Sequence, residues 1–323
     1  MGVTTLNMLP GIAPGDGEIW LPGGSFRMGS DKHYPEEAPA HHAHVAGFWI
    51  DRTPVTNRDF RRFVEATGYV TVAEIAPDPK DYPGALPEML HPASLVFTPP
   101  GRPVDVTREC LSWWNFKRGA NWRRPNGPGS SIQGLEDHPV VHVAYKDAEA
   151  YAAWVGKELP TEAEWEFAAR GGLEAAEFAW GDEFTPGKRH MANTWQGEFP
   201  NQNFKADGYE RTSPVEAFPA NGYGIKDMIG NVWEWTRDWY APRHEEAKST
   251  CCATENPRGS LEEKSYDPAL PHIRIPRKVV KGGSHLCAPN YCRRYRPAAR
   301  HAQPVDSSAS HVGFRCVRHG PAP

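Results

Sequence analysis

Two cysteines in the last fifth of the chain, Cys287 and Cys292, stand in a run suited to sulfur chemistry. Arg293, Arg294, Arg296 and Arg300 crowd them, Ser284 and Tyr291 add hydroxyls, and Gly282-Gly283 precede them. Cations lower the pKa of a thiol, and the thiolate is the form that reacts and binds metals. Four residues separate the pair, unlike the C-x-x-C of thioredoxin-type sites or zinc knuckles. The residues alone leave two readings open: a reactive or metal-binding pair, or structural thiols beneath surface arginines. The remaining cysteines are Cys110, Cys251, Cys252 and Cys316, and six in 323 residues make no disulfide scaffold. Cys251 and Cys252 are neighbours, a strained geometry for a bridge, and with no secretion signal read at the start of the sequence reduced thiols are expected.

A second chemistry is carried by oxygen. Asn193-Thr194, then Asp207-Gly208-Tyr209, place side-chain and carbonyl oxygens on loops, and Asp227, Gly230 and Glu234 do so around a tight turn. Calcium takes six to eight such donors, although the spacing is not that of an EF-hand and Asx turns explain the same residues. His41, His42 and His44 form an H-H-x-H cluster that reads either as a solvated segment or as a metal site, without the helical spacing of a zincin.

These groups need elements to hold them. Glycine (30) and proline (32) make up nearly a fifth of the chain, and there are 12 tryptophans. That composition predicts a loop-rich fold with aromatic packing, not a helical bundle or a doubly wound sheet. A net charge of −4 argues against a generic nucleic-acid binder, and no apolar run approaches the ~20 residues of a membrane helix. Residues 1–16 read as a mobile leader without the features of a secretory signal, 17–318 as one domain, and 319–323 as a tail.

Within the domain, GEIWLPGGSFRMGS predicts two short strands around Pro22-Gly23-Gly24, and HHAHVAGFWIDRTPVT predicts one more. A helix follows, capped at Thr56 or Asn57, striped by Phe60, Phe63 and Val64, and ended by Gly68. Residues 75–135 read as irregular. His138–Val143 reads as a strand, and 146–155 as a helix stopped by Gly156. LPTEAEWEFAARGG carries the strongest helix signal, with Thr161 and Glu164 as a capping box. Residues 241–276 read as a polar surface excursion, and the last segment has strand-like ends around a basic, irregular centre.

Several of these segments together resemble the formylglycine-generating enzyme family. The resemblance rests on GGSFRMGS, PVTNRDFRRFVEATGYVT, LPTEAEWEFAARGG, ANTWQGEFP, NGYGIKDMIGNVWEWTRDWY and KGGSHLCAPNYCRRYRPAAR, in order from Gly17 to Arg318. The wider family includes sulfoxide synthases and inactive paralogues. The generating enzymes are marked by GGS-x-x-C-x-x-x-Y-C-x-R-Y-R, present here as Ser284, Cys287, Tyr291, Cys292 and Arg294.

The resemblance implies an α+β, single C-type-lectin-like domain with little regular secondary structure. It implies oxidation of the cysteine of a C-x-P-x-R segment in an unfolded sulfatase to Cα-formylglycine, with O2 and a thiol reductant. Cys287 and Cys292 would bind Cu(I), Ser284 and Tyr291 would position substrate or oxygen, and Trp233 would line the pocket. Structural Ca2+ would be held by Asn193, Thr194, Asp207 and Tyr209 at one site and by Asp227, Gly230, Val232 and Glu234 at another. Thr194, Tyr209, Gly230 and Val232 would contribute backbone carbonyls. Vertebrate members carry disulfides at positions that here include Ala168 and Pro297, which leaves Cys316 a free thiol in a reducing, cytoplasmic setting. His311 stands where the vertebrate pattern has an asparagine. The competing expectations are an iron-dependent sulfoxide synthase, whose helical H-x-x-x-H-x-x-H motif is not found, and a non-catalytic binding module, which would lack the cysteine pair.

Overall fold

A computed structural model describes residues 17–109, 111–244 and 253–322. The leader expected over 1–16, and Cys110, Cys251 and Cys252, lie outside the described residues. β1 (Glu18–Leu21) and β2 (Gly24–Met28) flank the expected turn, but they do not pair with each other. The single strand expected next is two, β3 (His41–Val45) and β4 (Phe48–Asp51). Gly47 divides them where a Cβ would lie 2.7 Å from the Trp20 ring, so the chain can turn there only without a side chain. β3 then pairs with β2, and β4 with β1.

α1 (Asn57–Thr67) forms as its sequence dictates. Thr56 accepts a hydrogen bond from the Asp59 N–H, the Asp59 carboxylate accepts one from the Thr56 N–H, and left-handed Gly68 closes the helix. The stretch 75–135 is not wholly irregular, since β5 (Ala93–Phe97) and β6 (Trp114–Arg118) pair antiparallel within it. His138–Val143 makes no strand. Its one bridge joins Pro139 to Thr56, because His142 adopts φ +61° and breaks the alternation. Its buried ring bonds instead to the Ser94 hydroxyl and the Pro125 carbonyl.

α2 (Tyr145–Trp154) leads to α3 (Glu162–Arg170), capped by the Thr161–Glu164 box and ended by Gly171. All nine residues of α3 are buried, including three glutamates and an arginine. They are tolerable there because each charge is paired. Glu166 accepts from Arg170 at 2.6 Å and from Lys281 at 3.0 Å, and Glu162 accepts from Arg300 at 2.8 Å. The rest is β7 (Trp233–Trp239), β8 (Thr254–Glu255), β9 (Arg277–Lys281), β10 (Arg300–Pro304), β11 (Val312–Gly313) and β12 (Val317–Arg318). The sheets run β1-β4-β12, β10-β9-β7-β11, β2-β3-β8 and β5-β6. This is the α+β architecture that the resemblance implied, built of the short elements and aromatic packing that the composition predicted. Trp113, Trp122, Trp165 and Trp235 are fully buried in its core. The connection from β9 to β10 carries both candidate thiols, and both of its flanking strands are fastened by ion pairs to α3.

Candidate active site

The β9–β10 connection folds back on itself at Gly282 and Gly283, with φ of +92° and +71°. A Cβ on Gly283 would lie 2.8 Å from the Arg294 carbonyl oxygen, so the two arms of the loop touch only because the residue is glycine. This fold brings Cys287 Sγ to 3.2 Å from Cys292 Sγ, with both side chains buried. The Ser284 N–H donates to Cys287 Sγ at 3.4 Å, and the Ser284 hydroxyl accepts from the Leu286 N–H. The Cys287 carbonyl accepts from the Trp195 N–H at 3.0 Å.

The two thiols are electrostatically unequal. A hydrogen bond from Cys287 and the adjacent Arg294 guanidinium hold the Cys292 thiol below its ordinary pKa, while burial and that same bond push Cys287 up. The pair therefore favours one thiolate, on Cys292, bonded to one thiol. Arg294 Nη1 is 3.9 Å from Cys292 Sγ. Its other nitrogens donate to Glu36 Oε1 at 3.0 and 2.5 Å, and it lies 3.8 Å over the Tyr34 ring. Arg296 forms a bidentate pair with Glu37, and both side chains are buried. The basic cluster is thus a set of ion-paired arginines, mostly interior, and not a surface patch over a thiol.

An aromatic wall completes the site. Tyr291 is 37 % exposed, stacked at 4.5 Å on Phe199 and edge-on to Trp113 at 5.2 Å. Trp233 is buried in the core cluster that contains both cysteines, its ring 5.7 Å from that of His301. His311 lies 4.7 Å from the Trp114 ring, and its Nδ1 is buried with no hydrogen-bond partner among the described residues. Burial holds this ring well below the usual imidazole pKa, hence neutral.

One loop and its wall therefore gather Ser284, Cys287, Tyr291 and Cys292, with Trp233 in the same buried core. The His41-His42-His44 segment does not converge. His41 packs on His244, and His44 bonds to Ser25. Tyr34, Glu36, Glu37, Trp113 and Phe199 were not singled out from the sequence. The adjacent pair Glu36-Glu37, matched in order to Arg294 and Arg296, was the available signal.

The metals implied by the sequence can be tested against these donors. Two soft sulfurs face each other in a dry site beside one cation, a donor set that suits a soft monovalent ion such as Cu(I). At the first oxygen cluster, Gln196 Nε2 donates to both the Thr194 carbonyl and Asp207 Oδ2, filling the place a shared cation would take, and Thr194 Oγ1 is buried without a partner. Asn193 and Tyr209 border this cluster through the Asn231 N–H bond to the Asn193 carbonyl and the Tyr209 N–H bond to Asp207 Oδ1. Those oxygens fit calcium. The second set fits only in part. Asp227 Oδ1 is buried and unpartnered, but the Glu234 carboxylate is committed to Arg315 at 2.6 and 2.7 Å and to the Trp165 indole at 2.7 Å. Asp227 and the carbonyls of Gly230 and Val232 remain. No group of three or more His, Cys, Asp or Glu side chains is arranged for a metal among the described residues.

Residues 9–320 match the family described as the sulfatase-modifying factor enzyme 1-like domain. The chain is 53 % identical over 299 residues to the formylglycine-generating enzyme of Mycobacterium tuberculosis, covering 92 % of this chain and 96 % of that one. It is 43 % identical over 300 residues to the Mus musculus enzyme of the same name, covering 92 % and 73 %. The Bos taurus protein named inactive C-alpha-formylglycine-generating enzyme 2 is 36 % identical over 326 residues, covering 98 % and 94 %. Among solved structures, PvdO from Pseudomonas aeruginosa superposes with a TM-score of 0.62 at 25 % identity, covering 93 % of each chain. The order of motifs, the cysteine loop and these matches agree, and the chain belongs to the sulfatase-modifying factor enzyme 1-like family.

Proposed function

We propose that this chain is a formylglycine-generating enzyme of sulfatase maturation, acting on the cysteine of a C-x-P-x-R segment in an unfolded sulfatase polypeptide. The observation that carries this reading is the buried Cys287–Cys292 pair, 3.2 Å apart beside Arg294, in a chain 53 % identical to a protein of that name. In the reaction a substrate thiol on its methylene carbon, O2, two electrons and two protons yield an aldehyde, hydrogen sulfide and water. The C–S bond breaks, a C=O bond forms, and the thiol reductant supplies the two electrons beyond those the substrate gives up.

Cys287 and Cys292 would hold Cu(I), which when bound supplies one-electron chemistry toward O2. The chain's own groups set the conditions. Arg294, fixed by Glu36 and Tyr34, offsets the negative charge of the sulfur pair. The Ser284 N–H orients Cys287 Sγ. Trp233 is buried in the same core as the sulfurs and would line the pocket, and partly exposed Tyr291 forms the lip where an extended substrate enters. Asn193, Thr194, Asp207 and Tyr209 would hold structural Ca2+, with a second ion at Asp227 and the carbonyls of Gly230 and Val232, since Arg315 and Trp165 occupy the Glu234 carboxylate. The unpaired buried thiols Cys287, Cys292 and Cys316 support a reducing, cytoplasmic setting.

The test is incubation of the full chain with a C-x-P-x-R peptide, Cu(I), O2 and a thiol, read by mass spectrometry. Replacement of sulfur and two hydrogens by one oxygen, with a product that reacts with hydrazides, is expected. The likeness to a protein named inactive gives a competing reading, a binding module on the same fold. Peptide binding without conversion would establish that alternative.

A further inference from the structure

A cavity of about 170 Å³ beside Trp195 is lined by a charge with no partner among the described residues, Arg211. Phe97, Trp195, Asn201, Lys205, Glu210 and Arg211 are among its lining residues. At ~30 Å³ per water, it has room for one side-chain-sized group, not a cofactor. The Arg211 side chain donates no hydrogen bond and forms no ion pair among the described residues, although it is largely removed from solvent. Its one anionic neighbour, Glu210, is taken by Lys205 Nζ at 2.5 Å. The two imidazoles near it are occupied elsewhere, His142 by Ser94 and Pro125, and His285 by the Asn231 carbonyl. The Trp195 indole N–H is also buried and has no partner among the described residues.

Buried charges in proteins are paired, because an uncompensated one is costly. Lys205, Glu210 and Arg211 leave this cavity one net positive charge. A guanidinium is a planar fork, and its natural complement is a carboxylate. The geometry points to a carboxylate-binding subsite at Arg211, two rings removed from Tyr291 through Phe199 and the Phe97–Trp195 pair. Its backbone ties it to the oxygen cluster on one side and to the active site on the other. The Arg211 carbonyl accepts from Asn193 Nδ2, and the Trp195 N–H donates to the Cys287 carbonyl. The occupant is either an acidic side chain of the polypeptide substrate or a free small acid.

Calorimetric titration of the full chain with acetate, at constant ionic strength against chloride, reads the site without any turnover. Saturable one-to-one binding is expected, weakened about tenfold or more in Arg211→Met and less in Arg211→Lys. Two sets of C-x-P-x-R peptides, carrying one glutamate or one glutamine at each flanking position, distinguish the sources; this arm alone rests on the proposed substrate. A glutamate preference that disappears in Arg211→Met and is competed by acetate assigns the site to the substrate. Acetate binding with no such preference assigns it to a free acid. No saturable acetate binding by the wild-type chain overturns the inference, and that measurement stands even if Arg211→Met does not fold. Loss of conversion activity would bear on the proposed reaction and leave the acetate result unaffected.

Discussion

The cysteine loop and the oxygen-rich loops face the same core but are held in opposite ways. Around Cys287 and Cys292, the chain supplies its own counter-charges: Arg294 to Glu36, Arg296 to Glu37, Arg300 to Glu162. Around Asn193, Thr194, Ser213 and Asp227, buried oxygens are left over, with Thr194 Oγ1, Ser213 Oγ and Asp227 Oδ1 all unpartnered among the described residues. The first region is preorganised by protein alone. The second is only partly satisfied by protein: Gln196, Asn231 and the Tyr209 N–H reach some of its oxygens, and these three are left over. A thiolate pair needs a cationic, rigid cradle before any metal arrives. A structural ion can itself organise the loops that bind it.

The sharpest break in this comparison is at the sulfurs. Cys287→Ser and Cys292→Ser each exchange a soft donor for a hard hydroxyl of nearly the same size. Each should abolish Cu(I) retention, measured by competition with a chromophoric chelator, and turnover with it, while the melting temperature stays close to wild type. Full turnover by either variant would remove the pair from the chemistry.

The cradle should break next. Arg296→Ala leaves Glu37 buried without its partner, and losing one half of such a pair costs roughly 3–5 kcal/mol. Urea unfolding should show that loss, whereas Arg58→Ala, which breaks an exposed pair with Asp137, should change stability by about 0–1 kcal/mol. Equal losses would mean that burial does not distinguish them.

Calcium removal sharpens the other side. Chelation should lower the melting temperature, re-addition should restore it, and Asp207→Asn should blunt the response. If verified calcium removal leaves the melting curve unmoved, the leftover oxygens are satisfied by water and Asx turns.

The smallest effect is a pH dependence outside both regions. His319 donates to Glu164 in the cap of α3, and this bond raises the imidazole pKa. A raised folded pKa stabilises fully below the unfolded value of about 6.5 and is lost as pH climbs through the folded one. Stability should therefore fall slightly above neutral pH, by well under about 1 kcal/mol for so exposed a pair, and His319→Gln should flatten the slope.

The two regions also differ in how much of them was legible in the sequence. α1 and α3 announce themselves because Thr56 with Asp59 and Thr161 with Glu164 are local devices, read within four residues. The cysteine pair is legible for the same reason. Its cradle is not, since Glu36 lies 258 positions from Arg294 and nothing local marks the contact. β5 was hidden because ASLVF, buried at four of five positions, lacks alternation. The strand expected at His138–Val143 failed because a buried hydrogen-bonding histidine took the left-handed conformation, a choice made by Ser94 and Pro125 far along the chain. The division of β3 from β4 depended on the Trp20 ring, visible only once the chain had folded back.

The sheet β1-β4-β12 has a consequence for biosynthesis. Its central strand, β4, emerges from the ribosome early, yet one of its two neighbours is the last described strand to be made. α3 is in the same position, since its glutamates wait for Lys281 and Arg300. Until those residues appear, a helix of nine interior positions lacks its long-range counter-charges and keeps only the Arg170–Glu166 pair within it. Such long-range closure makes folding slow. The nascent chain therefore stays open for nearly the whole of translation, and its active-site thiols are themselves made only near the end. A stop a few residues short of Val317 would remove an edge strand from this sheet and leave the whole protein unfinished, not trimmed.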